Sequence, residues 1–337
     1  MILAGDIGGT KTVLAICEAQ GERIRVVRDA TFPSNAHPSL EAILDQFVVP
    51  GELGQLTAAC FGVAGPVVGG DAKITNLPWT IRAASVAERL AGIPVRLLND
   101  LQATALGTLV LPDDKFGVLQ AGAPVQTAEG GDRPSIAIVA PGTGLGESLL
   151  VATGDRYRAL PSEGGHADFA PTSDDEIALL HFLRGKYGPH ISYERVLSGA
   201  GIGDLYAFAR HQSAAPEPAW LTEALGQADR NAVVTKAALA GTDAVCGRAL
   251  EMFVEILGNE AGNLALRGLA TGGVVLGGGI PPKILPALQD GRFLARFRDK
   301  GRFTSWMATL PVRVTLEPRA ALLGAAHHAA THKDPRA

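Results

Sequence analysis

Apolar and polar positions follow the same order in two segments that lie far apart in the chain. Each segment predicts a strand, a turn of glycine and threonine, a second strand, a tight turn and a third strand, because short apolar runs bounded by glycine are typical of strands. The first segment comprises Ile2-Leu3-Ala4, Gly8-Gly9-Thr10, Val13 to Ile16, Gln20-Gly21 and Ile24 to Val27. The second comprises Ile136 to Ala140, Gly142-Thr143-Gly144, Leu149 to Ala152, Gly154-Asp155 and Tyr157 to Leu160.

The two glycine-threonine turns are candidate phosphate-binding loops. Glycine permits a positive φ and lets backbone N–H groups approach an anion without a Cβ in the way. Two similar loops on two similar units indicate a polyphosphate held between two domains. The alternative interpretation is a pair of ordinary hairpin turns. A third glycine run, Gly277-Gly278-Gly279, follows the apolar run Val274 to Leu276 and favours the binding interpretation.

The periodicity before residue 110 predicts an α/β unit with a mixed sheet. Its predicted elements after the first hairpin are a helix from Leu40 to Phe47 capped by Ser39, a buried strand from Thr57 to Ala64, a helix around Thr80 to Ala91 and a strand from Val95 to Leu98. The last strand leads directly into Asn99-Asp100. We therefore expect these two polar side chains at the carboxyl end of a strand, where α/β proteins bind ligands.

The second half of the chain becomes largely helical after its hairpin. Its predicted elements are a helix with Ser173 and Glu176 as a capping box, a long helix from Thr242 to about Leu266, a strand from Val274 to Leu276 and a last helix from about Arg319 to Ala330. The domain change is expected near Leu109 to Leu111. The predicted domains are therefore 1–110, with the C-terminal helix at about 319–331 packing back on it, and 111–318.

Composition limits the class of protein. The 337 residues exceed what one core usually organises, and 47% of them are apolar, which predicts two domains with sizeable cores. The net charge of −4 predicts no nucleic-acid partner, and no signal peptide or apolar run of about 18 residues indicates secretion or a membrane partner. The scattered Cys17, Cys60 and Cys246 suit buried thiols in a reducing cytosol rather than disulfides. We expect a soluble cytoplasmic enzyme.

Two common nucleotide-binding motifs are absent from the sequence. No GxxxxGK[ST] pattern occurs, which excludes a P-loop. The run Gly142-Thr143-Gly144-Leu145-Gly146 differs from a dinucleotide fingerprint, because the fingerprint needs a helix after the glycines and a final glycine one place later. A dehydrogenase is therefore not favoured.

Five motifs of the chain occur together in one known family. They are Gly5-Asp6-Ile7-Gly8-Gly9-Thr10, Asn99-Asp100, Gly142-Thr143-Gly144-Leu145-Gly146, Glu163-Gly164-Gly165-His166-Ala167-Asp168-Phe169 and Glu194-Arg195-Val196-Leu197-Ser198-Gly199. In combination they closely resemble the bacterial glucokinase family of the enterobacterial type, within the hexokinase–actin–Hsp70 superfamily. The resemblance extends to Leu322-Leu323-Gly324-Ala325-Ala326 and so covers nearly the whole chain.

This resemblance implies a fold and an activity. The implied fold is α/β, with two actin-like (ribonuclease H-like) domains that have mixed sheets and a cleft between them. The implied activity is ATP-dependent phosphorylation of the 6-hydroxyl of D-glucose, with Mg²⁺ on the nucleotide phosphates. The family is commonly homodimeric. The related ROK kinases and repressors usually carry a zinc-binding cysteine cluster after a similar histidine motif; no cysteine follows His166 before Cys246, so no zinc site and no repressor role are expected. One departure from the enterobacterial pattern is Lys11, a residue seen more often among ROK-type kinases.

Asp100 is the candidate catalytic base. A sugar kinase needs a carboxylate beside the attacking hydroxyl, to orient it and to accept its proton. The alternative interpretation is that Asp100 caps a helix beginning at Leu101. Asn99 beside it can donate to and accept from sugar hydroxyls.

Three further residues are candidate sugar ligands. Glu163 and His166 flank a glycine pair after the second hairpin, and a carboxylate with an imidazole can bind neighbouring hydroxyls. Glu194 resembles a further sugar-binding carboxylate of the family. Taken singly, each could be a surface acid or a structural histidine.

The nucleotide is expected on the glycine runs and on Asp6. Asp6 would hold Mg²⁺ through water, although an aspartate before glycine is also common in plain turns. The residues expected to contact ATP are Gly5, Asp6, Gly8, Gly9, Thr10, Gly142, Thr143, Gly144, Gly277, Gly278 and Gly279. The sequence leaves two alternatives to a glucokinase open: a hexose kinase of broader specificity and a sugar sensor without catalysis.

Overall fold

A computed structural model describes residues 1–21, 23–74, 77–123, 133–154 and 156–332. The chain forms two compact units. The first contains Met1–Lys115, Arg156–Pro161 and Glu317–Ala337, and the second contains Phe116–Asp155 and Ser162–Leu316. Asp155, which belongs to the predicted second hairpin turn, lies outside the described residues.

The first unit is built on a five-stranded sheet with helices. Its strands are β1 (Ile2–Ile7), β2 (Lys11–Gln20), β3 (Arg23–Pro33), β4 (Ala58–Val63), β5 (Val67–Val68), β6 (Asp71–Lys73), β7 (Thr80–Arg82) and β8 (Val95–Asn99). Its helices are α1 (Leu40–Phe47), α2 (Pro50–Leu53), α3 (Ala83–Arg89), α4 (Asp100–Gly107) and, at the end of the chain, α13 (Ala320–Thr331), with short 3-10 turns at Ser34–Ala36 and Asp113–Lys115.

The sheet order in this unit is β3-β2-β1-β4-β8. Strand β1 pairs antiparallel with β2 and parallel with β4, and β4 pairs parallel with β8. Because β1, β4 and β8 run in the same direction, their carboxyl ends share one edge of the sheet. Helix α1 and strands β4 and β8 confirm the predicted elements, and Ser39 caps α1 by accepting from the Ala42 N–H at 3.4 Å.

One predicted helix of this unit is partly wrong. The segment Thr80–Arg82 is strand β7 of a small three-stranded sheet in the order β5-β6-β7, and helix α3 begins only at Ala83. Ile81 of β7 is buried while Thr80 and Arg82 are exposed, which is the alternation of a strand with one buried face. The strands of this sheet are only two or three residues long, too short to show an apolar period in the sequence.

The second unit combines a sheet with most of the helices. Its strands are β9 (Phe116–Gln120), β10 (Ile136–Pro141), β11 (Leu145–Thr153), β12 (Arg156–Ser162, with Arg156–Pro161 grouped with the first unit), β13 (Val274–Leu276) and β14 (Val312–Thr315). Its helices are α5 (Asp174–Tyr187), α6 (Gly199–Gln212), α7 (Ala219–Gln227), α8 (Arg230–Leu239), α9 (Ala244–Arg267), α10 (Leu285–Leu288), α11 (Arg292–Arg298) and α12 (Thr304–Met307). Short 3-10 turns occupy Gly164–His166, Tyr193–Arg195, Pro281–Ile284 and Gly301–Phe303.

Strand directions in the second unit repeat those of the first. Strand β10 pairs antiparallel with β11 and parallel with β13, β13 pairs parallel with β14, and β14 pairs antiparallel with β9. The predicted duplication of the strand–turn–strand pattern is therefore confirmed at β1–β2 and β10–β11. Both sheets are mixed and both carry helices, which confirms the predicted α/β class.

Helix α9 is the centre of the core of the second unit. It is buried along most of its length, and its aliphatic and aromatic side chains pack with Phe293 and Phe297 of α11. Burying each such side chain contributes about 1.5–3 kcal/mol. The observed bounds confirm the predicted long helix. The three cysteines are free and buried, as expected, and no helix among the described residues is long and apolar enough to span a bilayer.

Candidate active site

Asp6 and Asp100 occupy the carboxyl edge of the sheet in the first unit. Asp6 is near the end of β1 and pairs in register with Gly62 of the parallel strand β4. Asp100 is the first residue of α4, directly after β8. A Cβ added to Gly62 would be 2.8 Å from the Ala103 Cβ and 3.8 Å from the Asp100 Cα. The bare backbone at Gly62 therefore lets the first turn of α4 lie close to the sheet edge.

The negative charge of Asp100 affects the pKa of Asp6. Burial of this half-buried side chain is the largest effect that raises the pKa of Asp6, and the negative charge of Asp100 raises it further. Lys11 opposes the shift, and the pKa of Asp6 is about 6. The first unit thus brings together two of the carboxylates that the sequence singles out.

Asn99, and not Asp100, caps helix α4. The Asn99 Oδ1 accepts from the Leu101 N–H at 3.0 Å, and its Nδ2 donates to the Gly65 carbonyl at 3.2 Å. The alternative interpretation of Asp100 as the cap is therefore wrong. Asp100 Oδ1 also accepts from the Leu101 N–H, at 2.8 Å, which orients its carboxylate. The Asn99 side chain also accepts from the backbone N–H of Gln102 in a capping box, so the group that these described bonds leave over is its second amide N–H.

The first glycine-threonine turn is held by Ser34, a residue that the sequence does not single out. The buried Ser34 donates through Oγ to the Gly8 carbonyl at 2.8 Å and through its N–H to the Thr10 carbonyl at 2.9 Å. The Gly8 N–H donates to the Lys11 carbonyl at 3.0 Å and closes the turn. Within the described part of the chain, the N–H groups of Gly9 and Thr10 have no acceptor. The turn therefore presents two consecutive donors.

The second turn has the same arrangement. The Gly142 N–H donates to the Gly144 carbonyl at 2.8 Å, and the Gly142 carbonyl accepts from the Gly199 N–H at 2.8 Å. Among the residues that the structure describes, the N–H groups of Thr143 and Gly144 have no acceptor. Two consecutive open N–H groups form a small anion-binding concavity, so each loop can bind a phosphate oxygen.

A cavity of about 910 Å³ adjoins the second turn. It is lined by Gly142 and Thr143, by Gly279, and by Asn231, Lys236 and Lys283. This volume is within the range of pockets that bind nucleotides and other small molecules. Nothing in the sequence indicated the contribution of Asn231 and Lys236, because α8 carries no recognisable motif and its polar residues resemble those of a solvated helix.

The three glycines after β13 have different structural roles. A Cβ at Gly279 would meet no atom within 4 Å, and this residue lines the cavity. Gly278 has φ +78° and a Cβ there would overlap the Pro141 carbonyl, so its backbone requires glycine for packing. The Gly277 N–H donates to the Val139 carbonyl at 2.8 Å. Gly279 therefore fits a ligand contact, whereas the other two shape the turn.

Glu163 and His166 lie at the two ends of a short 3-10 turn in the second unit. Their side chains are 85% and 61% exposed, with the His166 Nε2 4.0 Å from the Glu163 Oε2. The His166 N–H donates to the Glu163 carbonyl at 2.9 Å. This turn packs on β11, since a Cβ at Gly165 would overlap the Leu145 carbonyl. Both polar side chains are therefore available to a ligand from solvent.

Glu194 belongs to the same part of the second unit. Its Oε2 accepts from the Leu145 N–H at 3.0 Å, directly after the second glycine-threonine turn. Its segment is fixed by backbone bonds from the Tyr193 N–H to the Ala167 carbonyl, 3.0 Å, and from the Phe169 N–H to the Ile191 carbonyl, 2.8 Å. The structure thus brings Glu163, His166 and Glu194 around the beginning of β11.

The described carboxylates suit a Mg²⁺ ion that is bound together with the phosphates of a nucleotide. Within the described residues no group of three or more His, Cys, Asp or Glu side chains could hold a metal ion by itself. Mg²⁺ commonly keeps several waters and binds one or two carboxylates together with substrate phosphates. The half-buried Asp6, beside Asp100 and near the open N–H groups of the first turn, fits that kind of site.

Comparison with known proteins gives one consistent family. A family model described as glucokinase matches residues 3–332. A glucokinase from Synechocystis sp. is 41% identical, with 96% of this chain and 96% of the relative covered. One from Shigella dysenteriae is 36% identical, with 97% and 96% covered. The crystal structure of a glucokinase from an Antarctic psychrotroph has a TM-score of 0.83 and 31% identity, with 98% of each chain covered.

These matches confirm the family predicted from the motifs, the enterobacterial resemblance included, and with it the actin-like type of α/β fold. The match extends over nearly the whole chain and over nearly the whole of each relative. The chain belongs to the glucokinase family.

Proposed function

We propose that this chain transfers the γ-phosphoryl group of ATP to the 6-hydroxyl of D-glucose, with Asp100 as the general base. The observation that carries the proposal is the pair Asp6 and Asp100 at one sheet edge, next to a turn that presents the open N–H groups of Gly9 and Thr10. A carboxylate for the acceptor and donors for the phosphates are what phosphoryl transfer requires of a protein.

Asp100 would orient the acceptor and take its proton. As the bond from the sugar O6 to the γ-phosphorus forms, the bond from that phosphorus to the β–γ bridging oxygen breaks and ADP leaves. The hydroxyl proton passes to the Asp100 carboxylate and from there to water. The Leu101 N–H, 2.8 Å from Asp100 Oδ1, holds the carboxylate in one orientation throughout.

The donor phosphates would bind to the two glycine-threonine turns. Open N–H groups at Gly9, Thr10, Thr143 and Gly144 are pre-arranged donors, which stabilise developing negative charge without reorganisation. The cavity beside Gly142, Thr143 and Gly279 has room for the adenosine, and Lys236 and Lys283 line it with positive charge that suits a polyphosphate.

Asp6 would hold Mg²⁺ through water. The ion, when bound with ATP, neutralises charge on the phosphate oxygens. Asp6 must be ionised to serve this role, and its raised pKa of about 6 keeps it mostly ionised at neutral pH. Lys11, which opposes that shift, favours the charged form of Asp6.

The sugar hydroxyls would be recognised by Asn99, Glu163, His166 and Glu194. Asn99 would donate its second amide N–H to a hydroxyl, and Glu163 with His166 can accept from and donate to neighbouring hydroxyls. Glu194 has one oxygen engaged by the Leu145 N–H, which fixes the direction of the other. Sites built on such bonds reject a sugar that lacks the matching hydroxyl.

Two further properties stay predictions. The family resemblance implies a homodimer, and the scattered cysteines predict a cytoplasmic location. Light scattering at several protein concentrations measures the oligomeric state, and a monomer throughout would contradict the dimer.

The test of the proposed function is a matrix of acceptors and donors. Glucose, mannose, fructose and glucosamine are each combined with ATP, ADP and polyphosphate, with and without Mg²⁺, and the product is identified by mass and by phosphorus NMR. The proposal expects glucose 6-phosphate from glucose with ATP and Mg²⁺ at the highest kcat/KM. Tight glucose binding without turnover for any donor would contradict it and favour a sensor.

A further inference from the structure

Glu147 is a buried acid that the proposed mechanism does not use. It lies on β11, opposite Val139 of β10, and its side chain is 1% exposed. No N–H or O–H group among the described residues donates to either of its carboxylate oxygens, and the group within hydrogen-bonding reach of them is another carboxylate, that of Glu260. A buried carboxylate without partners loses several kcal/mol of solvation, so such a group either acquires a partner or holds a proton. The groups around Glu147 favour its protonated, neutral form.

The neighbour of Glu147 is a second, fully buried acid. Glu260 of α9 accepts from Arg267 Nη1 at 2.8 Å and from Asn263 Nδ2 at 2.9 Å, so its charge is compensated. Burial first, and the charge of Glu260 second, raise the pKa of Glu147 to about 8, while Arg267 opposes this. Two carboxylates in one dry site share their protons in this way, because only one of them can be ionised at low cost.

The other charged and titratable groups around Glu147 and Glu260 do not change the conclusion that Glu147 is the protonated acid. Tyr193 is a neutral phenol whose pKa is raised by burial and by Glu260. Lys300 is attracted by Glu260 and donates to Asn259. The titratable groups of the 3-10 turn above it are Glu163 and His166, both largely exposed. No described cation other than Arg267 lowers the pKa of Glu147.

The carboxyl group of Glu147 lies directly beneath the turn that carries Glu163 and His166. A Cβ added to Gly164 would overlap Glu147 Oε2. Gly164 is otherwise anchored by its N–H, which donates to the Ser162 hydroxyl at 2.9 Å. The contact with the Glu147 carboxyl group therefore requires glycine at position 164. The position of the 163–166 turn relative to β11 depends on where that carboxyl group lies.

We propose that Glu147 is a positioning residue for glucose: its neutral carboxyl supports the 163–166 turn, and its ionisation displaces that turn and weakens sugar binding. The inference rests on the proposed sugar contacts of Glu163 and His166. Ionised Glu147 would carry a second negative charge beside Glu260. The side of Gly164 is where this charge would be rehydrated, because the Gly164 backbone lies against Glu147 Oε2 and the Glu163 and His166 side chains of the same turn are largely exposed. The turn must then move, and the two sugar ligands move with it.

The test is the KM for glucose between pH 6.5 and pH 9.5, in wild type, Glu147→Gln and the control Glu223→Gln. Glutamine has the shape of the neutral acid and does not titrate, and Glu223 is an exposed acid of α7. In wild type and in the control we expect the KM for glucose to rise about tenfold from pH 7 to pH 9, as one lost proton predicts, with kcat and the KM for ATP nearly constant. In Glu147→Gln the rise should be absent. An equal rise in Glu147→Gln, or no rise in wild type, overturns the proposal.

A second measurement does not depend on the variant folding. Hydrogen exchange of wild-type protein, corrected for the intrinsic effect of pH, should show lower protection of residues 163–168 at pH 9 than at pH 7, with β10 unchanged. Equal protection at both pH values overturns the proposal. If wild type releases no ADP with glucose at any pH, the proposed function fails instead, and the exchange result still decides whether Glu147 controls the turn.

Discussion

The Glu194 carboxylate accepts a hydrogen bond from the Leu145 N–H at 3.0 Å and covers the bare backbone of the preceding residue, Gly144. A residue assigned to the sugar is thereby joined to a loop assigned to the phosphates. Both groups are in the second unit. One hydrogen bond and the absence of a Cβ at Gly144 therefore fix the sugar-binding carboxylate relative to the phosphate-binding loop. Changes at either residue should therefore affect both substrates.

Gly144→Ala tests this coupling. The added Cβ would overlap Glu194 Oε2, so the carboxylate must move away from the Leu145 N–H. We expect the KM values for glucose and for ATP both to rise about tenfold or more, and overpacking to lower the free energy of unfolding by about 1–3 kcal/mol. Steady-state kinetics and urea denaturation measure these effects. Gly226→Ala on α7, where a Cβ meets no atom within 4 Å, is the matched control and should change neither KM. A rise in only one KM would contradict the coupling.

Gly62→Ala tests how the sheet edge positions the base. Its Cβ would lie 2.8 Å from the Ala103 Cβ, so the first turn of α4 and Asp100 must shift. A displacement of this size can lower kcat about 100-fold. The double variant Gly62→Ala with Ala103→Gly removes the overlap and should restore most of kcat, at a cost of about 1 kcal/mol for glycine in a helix. Equal kcat in the single and double variants would show that α4 is not positioned in this way.

The raised pKa of Asp6 predicts that the enzyme needs more Mg²⁺ at acidic pH. Burial and Asp100 raise the pKa of Asp6 to about 6, so Asp6 gains a proton and loses its charge as the pH falls from 7 to 5. The Mg²⁺ concentration for half-maximal rate should therefore rise below pH 6. Magnesium titrations of the initial rate at pH 7.5 and pH 5.5 measure this. In Asp6→Asn the requirement should be high at both pH values. A wild-type requirement that is equal at the two pH values would exclude Asp6 as the ligand.

Glu147 predicts a stability that depends on pH. Its pKa is raised from 4.5 to about 8 in the folded protein, so the native state holds a proton that the unfolded state releases. Between these values the free energy of unfolding of wild type should fall as the pH rises, by at most about 1.4 kcal/mol per pH unit from this group. Glu147→Gln removes this contribution, so its stability relative to wild type should increase from pH 5 to pH 8. Urea denaturation at three pH values tests this, and a constant difference would contradict it.

Much of the fold could be predicted because local patterns and packing agree. The β1–β2 and β10–β11 hairpins, helix α1 with its Ser39 cap and the long helix α9 follow from apolar spacing and turn residues alone. Helix α5 shows the limit of such patterns. Ser173 caps it as expected, but the predicted capping box is wrong, because Glu176 accepts from the Thr172 N–H and hydroxyl instead of the Ser173 N–H. Ile177, whose spacing from Leu180 and Leu183 suits a buried helix face, is 44% exposed.

The candidate site could be predicted only where a motif carries it. Asp6, Asp100 and the glycine-threonine turns belong to recognisable runs. Ser34, Gly62 and Glu147 act through contacts with residues distant in sequence, which no local pattern encodes. Asn99 as the cap of α4 depends on where the helix begins, and helix ends are uncertain by one or two residues from sequence.

The most direct test of the account compares the rate of ADP release at saturating glucose, ATP and Mg²⁺ in wild type, Asp100→Asn and the exposed control Asp114→Asn. Calorimetry on the same proteins measures glucose binding. The account predicts that Asp100→Asn lowers kcat about 10²- to 10⁴-fold and leaves glucose affinity within a few-fold of wild type, while the control is unchanged. An Asp100→Asn enzyme that turns over at nearly the wild-type rate would show that another group accepts the proton.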